Sequence, residues 1–297
     1  MVDLRIRTPS GAVLAAMYSP AGETAIVALH GASEGTGRSP AYRHLHELLP
    51  PAGIGVVTFD RRGEGASTGE ISAGRFPLQV EDALAVIDAL DVERVGVWGL
   101  SQGAWIGPLA AVASSSAAFL VLVASTGVTP SAQMRYAVAC QLRIAGYDEA
   151  VVARVLDLRD RFEAWVHAPD RAGGDALADE LRHASAAEWW QQAWLPPELL
   201  GDEDRRLWIE EMDFDPAPVF ARVSVATLLF YGAADSWTPV AASVDAWRAA
   251  RGDDVEIVVI PDAEHDLTLP DGRISDTYTH RLVEWAAEQG RQADAPR

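Results

Sequence analysis

Six short apolar runs punctuate the chain: Thr24–Leu29, Gly55–Phe59, Arg94–Trp98, Phe119–Ala124, Ala226–Tyr231 and Val255–Ile260. Each is rich in Val, Ile, Leu or Phe and almost unbroken by polar residues. That is the pattern of strands covered on both faces, as in a parallel sheet. Between them lie stretches with helical spacing. In Arg75–Leu90, the apolar Leu78, Ala85, Val86 and Ala89 predict a buried stripe, with Glu81, Asp82 and Asp88 on the solvated face. Gln102–Ala113, Val240–Ala250 and Ile274–Gln289 are further predicted helices, and Pro9-Ser10-Gly11 reads as the turn of a β-hairpin. The alternation predicts an α/β protein with a mostly parallel, doubly wound sheet covered by helices.

One segment breaks this rhythm. Residues 127–212 contain no buried-strand run, and Arg135–Ala145, Glu149–His167 and Asp175–Trp194 read as helices before Pro196-Pro197 interrupts. The predicted organisation is therefore a core of residues 1–126 and 213–297 with a helical cap inserted at 127–212. Five of the ten tryptophans lie in this insertion, at Trp165, Trp189, Trp190, Trp194 and Trp208, and are expected to pack between cap and core. The polar tail Arg291–Arg297 is expected to fray.

Composition narrows the function classes. A formal net charge of -19 repels nucleic acid and anionic membranes, so neither is expected as a partner. No apolar run approaches the roughly 18 residues of a membrane helix. The single cysteine, Cys140, leaves neither an intramolecular disulfide nor a cysteine metal cluster and suits a reducing, cytoplasmic setting. A small-molecule substrate is the expected partner, and a homodimer stays open.

The pattern Gly-x-Ser-x-Gly places a serine on a sharp strand-to-helix turn, where side chains at the glycines would clash. It occurs three times, centred on Ser33, Ser67 and Ser101. Ser101 alone follows a strand at once (Arg94–Trp98) and opens a predicted helix at once. Ser33 runs into Gly35-Thr36-Gly37, and Ser67 sits in a glycine-rich loop well past its strand. Ser101 is thus the candidate nucleophile.

A serine hydroxyl needs a base, and the base needs a third group to hold its tautomer. Of the seven histidines, His265 alone lies after the last strand and before the last helix. Asp235 follows the strand Ala226–Tyr231 and is the candidate acid. Asp262, Glu264 and Asp266 are too close to His265 in sequence for that geometry and read as surface charges.

The order Ser101, Asp235, His265 resembles the α/β-hydrolase superfamily. His30-Gly31, Asp60-Arg61-Arg62-Gly63-Glu64-Gly65, Asp215-Pro216, and Gly232 with Asp235 and Pro239 extend the resemblance over nearly the whole length. Gly99–Ala111 and the cap's position are similar to the dienelactone-hydrolase-like and prolyl-oligopeptidase-like esterases. Ala226 departs from the proline that relatives often carry. The resemblance implies an α/β-hydrolase fold and acyl transfer without metal or organic cofactor. Ser101 would attack a carbonyl, His265 accept its proton and Asp235 orient His265. Backbone N–H groups of Gln102 and of Ala32, with Ser33 as the neighbouring alternative, would receive the oxyanion.

Substrate recognition is open. Trp105, Trp237 and Ser33 are candidate pocket residues. Arg135 and Arg143 would meet a carboxylate or stay solvated, and Glu34 would meet an amine or solvent. The leading expectation is a serine hydrolase of a carboxylic ester, lactone or thioester. The same triad also serves a small peptidase or amidase, and an acyl-transfer, cyclisation or other tailoring enzyme. A ligand-binding sensor on a hydrolase scaffold is the alternative from another class. Dehalogenase and epoxide-hydrolase chemistry is disfavoured, because those relatives carry aspartate where Ser101 stands.

Overall fold

The computed structural model describes residues 1–33, 35–168 and 173–291. Glu34 and residues 292–297 of the tail lie outside the described residues, so the expectations placed on them stay with the sequence.

Eight strands form one sheet: β1 (Val2–Arg7), β2 (Val13–Ser19), β3 (Thr24–Leu29), β4 (Ile54–Phe59), β5 (Arg94–Leu100), β6 (Ala117–Val123), β7 (Ala226–Gly232) and β8 (Val255–Ile260). Their spatial order is β1-β2-β4-β3-β5-β6-β7-β8. β1 and β2 form the expected hairpin, and β2 meets β4 antiparallel. From β4 to β8 every pairing is parallel. All six residues of β3 and of β4 are buried, which is why these strands read as continuous apolar runs.

Helices α1 (Pro40–Leu48), α2 (Phe76–Asp88) and α3 (Gly103–Ala113) connect the first parallel strands. The second half adds α4 (Pro130–Ile144), α5 (Glu149–His167), α6 (Gly174–Ala184), α7 (Trp190–Ala193), α8 (Asp202–Met212), α9 (Ala217–Phe220), α10 (Val240–Arg251) and α11 (Asp276–Arg291). The chain winds outward from β3 to β4, then crosses back to β5 on the other side of β3. A doubly wound sheet leaves a crevice at the carboxyl ends of its strands where the winding reverses. Here that place is the end of β3 beside the end of β5.

Two expectations change. Asp82 does not face solvent: it is 1% exposed, and Arg62 holds it through Nε at 2.9 Å and through Nη2. A carboxylate can sit on the buried face of α2 because a guanidinium meets it there, and charge patterning does not distinguish that from a solvated face. The stretch Asp175–Trp194 holds helix as expected, but with a break. α6 stops at Ala184, turn hydrogen bonds from Ala187 to Ala184 and from Trp190 to Ala187 follow, and only the four residues of α7 resume.

The described residues divide into two compact units, one drawn from 1–33, 35–127, 215–235 and 240–291, the other from 128–168, 173–214 and 236–239. In the first, Ile26, Trp98, Phe119, Phe230 and Trp285 belong to one buried cluster of sheet and helix residues. Pro108 lies inside α3 and cannot bond the Ala104 carbonyl four residues back. The buried Ser125 hydroxyl donates to that carbonyl at 3.3 Å instead. The regular elements described in the second unit are all helices, and it has its own core of Leu142, Val155, Phe162, Leu181 and others. Trp165 and Trp189 are buried in that core, and Trp190 and Trp208 pack against it, so these four serve the second unit's own interior rather than packing between cap and core as expected. No helix among the described residues is long and apolar enough to cross a membrane.

Candidate active site

Ser101 stands one residue past β5 with φ 53°, in the left-handed region that a non-glycine residue rarely adopts. The glycines on either side explain how the turn closes. A Cβ at Gly99 would lie 2.3 Å from the Gly103 carbonyl oxygen, and one at Gly103 would lie 2.6 Å from that of Leu29. Both positions touch backbone that cannot yield. The Ser101 N–H donates to the Val123 carbonyl at 2.9 Å, so β6 pins the turn. Gln102 follows as the first residue of the α3 cap, its side chain accepting from Gln79 Nε2 at 3.0 Å. The other two Gly-x-Ser-x-Gly serines lie in loops. Ser33 is exposed, and Ser67 donates to the Asp60 carbonyl at 2.6 Å while accepting from Ala15 N–H.

Asp235 and His265 come together. Asp235 is 3% exposed, and its Oδ2 lies 2.8 Å from His265 Nδ1. A carboxylate only accepts, so Nδ1 carries the proton and Nε2 presents the lone pair. Their two loops are zipped together: Ala233 N–H donates to Ile260 O and Ala234 N–H to Ala263 O, each at 2.9 Å. Gly232 allows this approach, since a Cβ there would stand 2.2 Å from the carbonyl oxygens of Ala263 and Glu264. Asp262, Glu264 and Asp266 are exposed, as surface charges should be. Ser101, Asp235 and His265 thus all follow parallel strands and stand at the same sheet edge.

The loop after β3 completes this edge. A Cβ on Gly31 would lie 3.8 Å from Ser101 Cβ, so the loop passes directly beside the serine turn. Ala32 and Ser33 are exposed. His30, just before them, is buried and its Nε2 bonds the Phe59 carbonyl at 2.6 Å. Burial, aided by the nearby Arg61 charge, lowers its pKa to about 4. A neutral His30 with Nε2 protonated is therefore a fixed strut.

The remaining candidates stand elsewhere. Trp105 is 5% exposed and its indole N–H donates to the Thr126 carbonyl at 2.7 Å, so the first unit's interior holds it. Trp237 falls in the second unit, edge-on to Trp194 with ring centroids 5.5 Å apart. Arg135 pairs with Asp160 and Arg143 with Glu149 on the exposed surface of that unit. Neither is an unpaired cation, because an acidic chain supplies partners close at hand. Sequence reasoning missed the side chain of Arg61, which reaches the carbonyls of Gly31 and Ala32. Its partners in that loop are backbone atoms, which leave no trace in residue type.

The family model described as "Alpha/beta hydrolase family" matches residues 26–275. The chain belongs to the alpha/beta hydrolase family. Solved structures agree on the fold of this alpha/beta hydrolase. An esterase from Pyrococcus furiosus superposes with a TM-score of 0.64 at 15% identity, covering 98% of this chain and 90% of that one. The proline iminopeptidase of Mycobacterium smegmatis gives 0.64 at 17% identity, covering 99% and 100%. A meta-cleavage product hydrolase from Pseudomonas fluorescens gives 0.60 at 17% identity, covering 98% of each. No curated protein matches the sequence significantly.

Proposed function

We propose that this alpha/beta hydrolase cleaves a carboxylic ester, lactone or thioester of a small molecule through an acyl-enzyme on Ser101. The observation that carries this reading is the strained left-handed Ser101, held between two glycines at the strand end beside which the Gly31 loop passes. Strain of that kind persists where the surrounding structure over-determines it, and such sites are commonly functional.

In this account His265 Nε2 takes the Ser101 proton as Oγ attacks the carbonyl carbon. Asp235 accepts from Nδ1, fixes the tautomer and stabilises the imidazolium. The Gln102 N–H and an N–H of the Ala32–Ser33 segment receive the developing oxyanion. The tetrahedral intermediate collapses, the leaving group takes the proton from His265, and water repeats the sequence to free the acid.

The esterase relatives favour oxygen or sulfur leaving groups as the first panel to try. A set of p-nitrophenyl esters, a thioester and aminoacyl amides should show ester or thioester turnover in the wild type and loss of about 10³-fold or more in Ser101→Ala. Turnover of the amides alone would move the assignment to a peptidase. Equal ester turnover in both proteins would remove Ser101 from the chemistry.

A further inference from the structure

A guanidinium is buried behind the loop that follows β3. Arg61 is 2% exposed. Its Nη2 donates to the Gly31 carbonyl and its Nη1 to the Ala32 carbonyl at 3.4 Å. Nη1 also meets Glu64 Oε1 at 2.9 Å. The Arg61 N–H donates to the Gly35 carbonyl at 2.5 Å, and Gly37 N–H donates to Asp60 Oδ1 at 2.9 Å. Residues 60–64 are therefore a mould against which residues 31–33 and 35–37 are laid. A charge so far from water is costly unless hydrogen bonds meet it; the two carbonyls and Glu64 take its terminal nitrogens, while Nε has no partner among the described residues. Arg62, its neighbour, turns instead to Asp82, Glu81 and Ser10.

The direction of these bonds matters. In a trans peptide the C=O of one residue and the N–H of the next point opposite ways. Holding the Gly31 carbonyl turns the Ala32 N–H away from Arg61, and holding the Ala32 carbonyl does the same for the Ser33 N–H. These are the two N–H groups between which the second oxyanion donor stood open. A charge-assisted bond to a peptide oxygen also polarises the N–H at the other end of that peptide.

We propose that Arg61 is a positioning residue for the oxyanion site, fixing and polarising the Gly31-Ala32-Ser33 peptides. It touches no substrate and exchanges no proton; it donates the same bonds before, during and after the tetrahedral intermediate. This inference rests on the acyl-enzyme reading of Ser101.

The test compares wild type, Arg61→Met and Arg61→Lys. It measures the rate of fluorophosphonate labelling, and kcat and KM on the p-nitrophenyl ester that wild type hydrolyses fastest, with melting temperatures to establish folding. Arg61→Met should lower kcat and the labelling rate by about 30- to 300-fold, the scale of one lost oxyanion donor. KM should stay within about threefold, because the loss falls on the transition state. The pH midpoint of kcat/KM should not move, because the Asp235–His265 pair is untouched. Arg61→Lys keeps the charge with a single nitrogen and should recover part of the loss. A folded Arg61→Met with wild-type kcat and labelling overturns the proposal, as does a loss accompanied by a shifted pH midpoint, which marks a merely structural role. If Arg61→Met does not fold, Arg61→Lys decides, and wild-type kcat there overturns it. Wild type that neither labels nor hydrolyses overturns the acyl-enzyme reading and this inference with it, an outcome that no Arg61 variant can imitate.

Discussion

The Asp235 carboxylate lies 2.8 Å from His265 Nδ1, although 30 residues separate them in the chain. The contact is made by loops after adjacent parallel strands, zipped by backbone hydrogen bonds and by a glycine with no room for a side chain. An amide in place of the carboxylate keeps the shape but can donate to Nδ1, which favours the tautomer whose Nε2 is protonated. Asp235→Asn should therefore reduce kcat by about 10⁴-fold, with KM changed far less. Steady-state kinetics on an ester substrate checks this, and a loss below tenfold would deny Asp235 its orienting role.

The serine turn should tolerate no added methyl at its glycines. Gly103→Ala would place Cβ against the Leu29 and His30 carbonyl oxygens at 2.6 and 2.8 Å. We expect a loss of about 2–3 kcal/mol in urea unfolding, from overpacking against backbone. Gly107→Ala, in the same helix, meets side-chain methyls, those of Leu122 and Val97 at 3.3 Å and of Leu120 at 3.8 Å. It should stay within about 1 kcal/mol of wild type, since alanine also favours the helix. Equal effects of the two would contradict the packing account.

The buried Arg62–Asp82 pair should respond asymmetrically. Asp82→Ala leaves the buried guanidinium with Glu81, Ser10 and Thr8 alone and should cost about 3 kcal/mol, the low end for breaking a buried pair. The double variant Arg62→Met, Asp82→Leu removes both charges and should cost less than half as much. Denaturant midpoints of the three proteins decide it; a double variant as unstable as the single one would show that the pair stabilises the fold in its own right.

His44 should make the protein acid-sensitive. The Trp98 indole N–H can only donate, and does so to the Tyr278 hydroxyl at 2.9 Å. The hydroxyl proton is then left for His44 Nε2, also at 2.9 Å, which must stay unprotonated to accept it. Burial accordingly lowers the His44 pKa from 6.5 to about 4. Above pH 6.5 both folded and unfolded chains hold His44 neutral. As pH falls from 6.5 towards 4, the unfolded chain gains a proton that the folded one refuses, and stability declines. Between pH 7.5 and 4.5, wild type should lose about 2 kcal/mol more than His44→Phe. Urea midpoints at the two pH values measure the difference, and parallel losses would refute it.

What the sequence disclosed follows from what it encodes locally. Strands buried on both faces must be apolar throughout, so Thr24–Leu29 is legible to the residue; Val255–Ile260 is legible by the same apolar run, although as the edge strand β8 it is only partly buried, with Val259 exposed. Helix faces were less so, because Asp82 is buried against a charge 20 residues away. α8 went unread because Asp202, Glu203 and Asp204 look like loop; their carboxylates instead favour a helix N-terminus. The sequence pointed to Asp235 and His265, which meet, and to Ser101 by its place between strand and helix. It could not show the hold of Arg61 on the loop after β3, because its partners there are carbonyl oxygens common to every residue. The second unit's share of residues 236–239 was also hidden, since a four-residue transfer between units leaves no compositional mark.

The central claim is that, of three serines in identical patterns, Ser101 is the nucleophile. Peptide mapping by mass spectrometry after fluorophosphonate labelling tests it directly. The account predicts one adduct, on the peptide containing Ser101, absent in Ser101→Ala. An adduct on Ser33 or Ser67, or labelling that persists in Ser101→Ala, would contradict it.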